Sequence, residues 1–250
     1  MEALFGLSLG WVIFYGVVML VAFTIASILG MGGPLLVLPL LLLKFSANEA
    51  VALIVPVIWF SNVGRTLLHR QHIHWGAVWR SGLLAIPLTF FAAYFTHQVP
   101  HTYLKLLVVA LIAYALGSRY LFHISLRVGP KGLIGWGIPI GLFTGLMGTS
   151  GPPIAIAYKG FGLVLRSFIA TFSCLQIALQ LVRLPGYWQS GLLHADNLPL
   201  ALYFAACGLP GVWLARPFIH RIRPETFRKA IDILLAMIAI TLLIGVLQDT

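Results

Sequence analysis

Two glycine–proline clusters interrupt an otherwise apolar chain, Gly30-Met31-Gly32-Gly33-Pro34 and Gly148-Thr149-Ser150-Gly151-Pro152-Pro153. Glycine ends a helix readily and proline begins one, so each cluster reads as a helix break followed by a new helix start. A helix start presents unpaired backbone N–H groups and the positive end of the helix dipole, and the combination binds anions. Gly32, Gly33 and Gly151 let backbone approach a ligand closely. Pro34 and Pro152 open the new helices, and Thr149 and Ser150 add hydroxyl donors in the second cluster. The competing reading is a packing kink, with glycine as a small contact between close helices.

A second pair of units has the same spacing, Asn62-x-x-Arg65 and Gln180-x-x-Arg183. An amide and a guanidinium three residues apart lie on one face of a helix. Each unit reads as one mouth of an anion path, or as an interfacial arginine whose head snorkels to lipid headgroups. The run His69-Arg70-Gln71-His72-Ile73-His74 falls in an expected loop with no cysteine or carboxylate nearby, so it is not assigned a metal. The acids Glu2, Glu49, Asp196, Glu225 and Asp249 sit at ends or in loops, and only Asp232 dips toward the membrane. Coupling of sodium or protons through buried carboxylates therefore has little support. No carboxylate pair or Ser–His–Asp order appears, so no catalytic residue, cofactor or enzymatic activity is expected.

The elements that must position these residues follow from composition. Of 250 residues, 60% are hydrophobic and 9% charged, too few charges to cover a soluble surface. Apolar stretches fall at about 9–29, 35–43, 50–68, 75–95 and 103–121, then at about 133–147, 153–164, 167–184, 197–217 and 230–247. Most approach the roughly 20 residues that cross a bilayer; 35–43 and 153–164 are half-length helices behind the breaks. The expected fold is an all-α polytopic membrane protein, a single integral membrane domain over 1–250. Its partners are the lipid bilayer and a small anion. The net charge of +10 goes to cytoplasmic loops and anionic headgroups, with no nucleic acid implied.

The two sets of stretches form a repeat. A shift of 118 lays Gly30 on Gly148, Gly33 on Gly151, Pro34 on Pro152, Asn62 on Gln180 and Arg65 on Arg183. Repeat 1 covers about 9–121, a cytoplasmic linker about 122–131 and repeat 2 about 132–247. Lysine and arginine gather in loops 69–74, 119–131, 159–166 and 216–229, which the positive-inside rule places in the cytoplasm. Loops 96–102 and 185–196 and both termini then lie outside, with Lys44 a mild exception. Equivalent loops fall on opposite sides, so the repeats are inverted. Each holds a broken, re-entrant helix pair followed by three transmembrane helices.

With these residues the chain resembles the sulfite exporter TauE/SafE family of membrane transporters, from about residue 11 to 247. The carriers are Gly30–Pro34 with Pro39 and Asn62, then Gly148–Pro153, Arg166 and the long C-terminal hairpin. Where many members have a glycine run, this chain has Pro34 and Ser150-Gly151-Pro152, and a family asparagine is Gln180 here. The resemblance implies transport of a small sulfur-containing anion such as sulfite, thiosulfate or an organosulfonate. Alternating access around a midplane site, in a multi-pass protein of the inner cell membrane, follows from the same resemblance. An anion channel, or a non-transporting assembly or scaffold protein, stays open as an alternative, and a homodimer is compatible with either.

The charge map makes a direct prediction. Single cysteines at Gln98 and Ser190 label from outside the cell, whereas those at Gln71 and Pro224 label only after permeabilisation. Free labelling at Gln71 from outside would reverse the map.

Overall fold

A computed structural model describes residues 7–30, 32–41, 43–45, 47–94, 106, 109–110, 112–113, 116–117, 127–147, 150–189, 198–219 and 221–248. Loop 96–102, Met31, Gly148 and Thr149 lie outside the described residues, as do parts of the expected span 103–121, the linker 122–131 and loop 185–196. The described residues are helical apart from turns and short connections.

The first helix, α1 (Leu9–Leu29), has 21 residues and ends at Gly30, whose φ of 79° is the left-handed cap that glycine adopts without strain. Gly32 follows at φ 95°, and α2 (Gly33–Leu41) starts behind it. α2 runs back along α1. A Cβ at Gly33 would stand 3.0 Å from the Phe23 ring, and Tyr15 Oη donates to Leu40 O at 3.2 Å. Lys44 Nζ lies 5.0 Å over the Trp11 ring. The hairpin thus returns to the face from which α1 began. α3 (Ala47–Leu68) leaves that face, a 3₁₀ turn at Arg70–His72 reverses the chain, and α4 (Trp75–Tyr94) comes back.

The second hairpin is built alike from α5 (Pro130–Met147) and α6 (Gly151–Gly160). Val128 N donates to Gly160 O at 3.0 Å, so α6 also ends where α5 began. There follow α7 (Leu165–Gln189), α8 (Leu198–Gly208), α9 (Pro210–Leu214), α10 (Arg216–Ile219) and α11 (Pro224–Gln248). The stretch 197–217, one long crossing in the sequence reading, is divided into α8, α9 and α10. Pro210 and Pro217 each remove a backbone donor there.

Contacts set the directions. His74 N donates to Thr171 Oγ1 at 2.9 Å, so α7 begins where α3 ends and the two run antiparallel. Gly16 faces Tyr203 and Cys207 while Gly211 faces Leu20 and Thr24, so α8 and α9 run parallel to α1. The turn at 69–74, residues 127–129 and the turn at 160–165 share one face, with the His74 ring 5.2 Å from that of Phe161. Arg70, Arg127, Lys131 and Arg166 all belong to that face and Lys44 to the opposite one.

Two cores result. One packs α1, α2 and α3 with α8 around Tyr15, Phe23, Leu53 and Phe204. The other packs α5, α6 and α7 with α4 and α11 around Phe143, Tyr158, Phe168 and Phe227. Among the described residues, Leu9–Leu29, Trp75–Ala93, Leu165–Arg183 and Leu198–Phe218 are each long and apolar enough to cross a membrane. A 21-residue helix reaches about 31 Å, the thickness of the hydrocarbon. The protein is therefore a multi-pass, all-helical membrane protein.

The tightest seam joins α4 and α5. Cβ atoms at Gly137, Gly141 and Gly145 would fall 2.6, 2.7 and 2.8 Å from the carbonyl oxygens of Ser81, Ala85 and Thr89. This stripe of small residues lets the two backbones touch, the usual basis of helix association where water supplies no driving force. Gly141→Ala is expected to destabilise by about 2 kcal/mol, because backbone cannot yield to the added carbon. Gly135→Ala, which meets nothing within 4 Å, keeps or raises the melting temperature, because alanine is the better helix former. Thermal unfolding of both variants in detergent checks this.

Candidate functional site

The first break is held by α3. Asn62 and Arg65 sit one turn apart on its inner face, and both are buried. Arg65 Nη2 donates to Asn62 Oδ1 at 2.8 Å, Nε to Ser61 O at 3.3 Å, and Nη1 to Ala26 O at 3.1 Å. Ala26 lies in the last turn of α1, where carbonyls run out of intrahelical donors and the dipole is negative. Arg65 therefore grips the broken end of α1. With Arg65 4% and Arg183 7% exposed, neither guanidinium reaches a lipid headgroup, and the snorkelling reading does not fit either.

At the start of α2, Gly33 is buried against Phe23, and a Cβ at Gly32 would stand 2.8 Å from Leu234 Cδ2. Pro34 occupies the second helical position, without an N–H to offer. Leu36 N already bonds Gly32 O at 3.3 Å, so the backbone donors left at this start are those of Gly33 and Leu35.

The second break is more buried and poorer in backbone donors. Ser150, Gly151, Pro152 and Pro153 are all buried. Pro152 and Pro153 have no N–H, and Ile154 N is spent on Ser150 O at 3.0 Å. The expectation of several open N–H groups at this start is thus corrected: two consecutive prolines carry none, and Ile154 N is already bonded. Side chains supply the rest. Ser150 Oγ donates to Gln176 Oε1 at 3.4 Å, and Gln176, Gln180 and Arg183 follow one another along the buried face of α7. Thr149 lies outside the described residues.

Several polar groups in these regions escaped the sequence reading. Gln176 stands four residues before Gln180, and Ser173 three before Gln176, a helical period of polar residues that was visible in the chain. The hydroxyls of Ser27, Ser61 and Ser173 are buried with no hydrogen-bond partner among the described residues. Asp232, the one acid expected to dip toward the membrane, is buried on α11. Its carboxylate forms an ion pair with Lys159 Nζ at the end of α6. No group of three or more metal-ligating side chains occurs among the described residues.

Against this geometry, a family model described as Sulfite exporter TauE/SafE matches residues 15–242. No curated protein and no solved structure matches the chain.

The Lys159–Asp232 pair ties α6 to α11 in a low-dielectric setting, where removing one partner takes a buried counter-ion from the other. Lys159→Met alone is expected to cost about 3 kcal/mol. Lys159→Met with Asp232→Leu recovers most of that loss, because both charges go together. Melting of the single and double variants distinguishes this from a dispensable surface pair.

Proposed function

The chain belongs to the sulfite exporter TauE/SafE family, and on that premise we propose that it carries a small sulfur-containing anion across the inner cell membrane by alternating access. The family is one of transporters rather than enzymes. The observation that carries the reading is the pair of breaks, each at the turn of a hairpin: the first is gripped by Arg65 with Asn62, and the second is bonded through Ser150 to Gln176, on the buried face of α7 that also carries Gln180 and Arg183.

The binding site in this reading lies between the starts of α2 and α6. Gly32, Gly33 and Pro34 contribute from the first break, and Ser150, Gly151 and Pro152, with Thr149, from the second. Asn62 with Arg65 and Gln180 with Arg183 flank it. Oxyanions of sulfur present several acceptor oxygens, which suit N–H, amide and guanidinium donors. The scarcity of carboxylates removes what would repel them, and the buried Asp232 is already paired with Lys159.

The two halves act as inverted repeats. Supporting this, α3 and α7 run antiparallel and the two hairpins open on opposite faces. α4 packs in the core of α5–α7 while its counterpart α8 packs in the core of α1–α3. Such an exchange gives two bodies that can rock about a shared centre. The face gathering Arg70, Arg127, Lys131 and Arg166 is the cytoplasmic one.

The test is equilibrium binding and ligand-induced thermal stabilisation across sulfite, thiosulfate, taurine, sulfoacetate, sulfate and chloride. Selective stabilisation by one sulfur oxyanion or sulfonate is expected, and no response to any of them would favour a scaffold. Ser150→Ala should weaken binding several-fold, about 1 kcal/mol for one neutral hydrogen bond. Ser150→Asp should abolish it by repulsion; intact affinity in a folded Ser150→Asp protein would place the site elsewhere. Saturable liposome flux separates a transporter from a channel.

A further inference from the structure

We infer that Arg65 is a built-in counter-cation for the broken end of α1, filling the place where a coupling sodium ion would otherwise sit. Broken helices in transporters pair two kinds of terminus. The starts face anionic groups, and the carbonyl-rich ends, with unwound backbone, hold the coupling cation. In this protein the end of α1 is such a terminus: it stops at left-handed Gly30, and its dipole is negative there. The oxygens that meet the guanidinium there are Ala26 O from α1 and Ser61 O and Asn62 Oδ1 from α3, at 3.1, 3.3 and 2.8 Å from its nitrogens. An oxygen cage of carbonyls and an amide is what a hard monovalent cation selects, and Arg65 takes it instead.

Arginine suits this role. Its charge is permanent, its head is planar and weakly hydrated, and its fork satisfies several acceptors at once. All three nitrogens are engaged, which leaves one N–H on Nη1 and one on Nη2 beyond those bonds. One group thereby neutralises the helix end and keeps positive charge beside the start of α2, where Gly33 packs against Ala26. A second cation in the same cage would meet that charge directly. Register extends the idea: the 118-residue shift puts Thr144, in the last turn of α5, where Ala26 stands, and Arg183 where Arg65 stands.

This rests on the proposed transport function only in its flux readout; the binding readout stands without it. First, the wild-type protein is melted in sodium chloride and in choline chloride at equal ionic strength, and flux of sulfite and of thiosulfate into liposomes is measured in both. Equal melting temperatures and equal flux are expected; stabilisation or flux that requires sodium overturns the inference. Second, Arg65→Ala is melted with and without millimolar guanidinium. A fall of about 5 °C is expected, with guanidinium recovering at least half of it in the variant and none in wild type. A folded Arg65→Ala protein indifferent to guanidinium overturns the counter-cation role. Should Arg65→Ala not fold, Arg65→Lys keeps the charge and one bond. It should melt between wild type and failure and stay indifferent to sodium, and sodium-specific stabilisation of it overturns the inference.

Discussion

A break in a helix enclosed by other helices exposes backbone groups that bulk water cannot satisfy, and most of this structure answers that one problem. At the first break the answer is a guanidinium: Arg65 reaches from α3 to a carbonyl in the last turn of α1 and is steadied by Asn62. At the second, prolines delete two of the donors that would need partners, and Ser150 and Gln176 form the polar contact. Buried backbone groups left unsatisfied cost several kcal/mol each, by order of magnitude. The arginines and amides of α3 and α7 are therefore placed by the breaks as much as by any ligand.

The breaks also dictate the packing around them. A hairpin that turns back on itself brings a half-helix against the long helix before it, and the close approach needs small or flat neighbours. Gly33 against Phe23 and Ala26 meets that need in the first hairpin. The half-helices are too short to bury themselves, so each is enclosed by helices from both halves of the chain: α2 by α3 and α8, α6 by α4, α7 and α11. The α4–α5 seam, with its backbone-to-backbone contacts at Gly137, Gly141 and Gly145, fastens the halves to each other. Lys159 with Asp232 adds a polar tie from the end of α6 to α11.

Much of the candidate site was legible before any coordinates. Gly30 and Gly32 adopt the positive φ values that a helix break requires, and Asn62 and Arg65 meet one turn apart as their spacing implied. Other parts were written in the chain and passed over. The polar period Ser173, Gln176, Gln180 and Arg183 could be read along α7. So could the absence of N–H groups at Pro152 and Pro153, which undercuts a purely backbone anion site. Arg65 had two open readings, and spacing alone could not choose between them, because a helical wheel does not say whether a face meets lipid or another helix.

By itself, then, the sequence determined the all-helical class of fold, the two glycine–proline breaks and the pairing of residues within a turn, but not the division of 197–217 at its prolines. These depend on hydrophobic runs, on glycine and proline geometry and on the helical period, all of which act over a few residues. Tertiary structure alone decided what lies far apart in the chain: that Arg65 finds Ala26 across 39 residues, that Lys159 finds Asp232 across 73, and that α5 lies along α4. Apolar faces in a membrane protein are nearly interchangeable to a one-dimensional reading. Which face meets which is settled only when close packing and the satisfaction of every buried polar group are solved together.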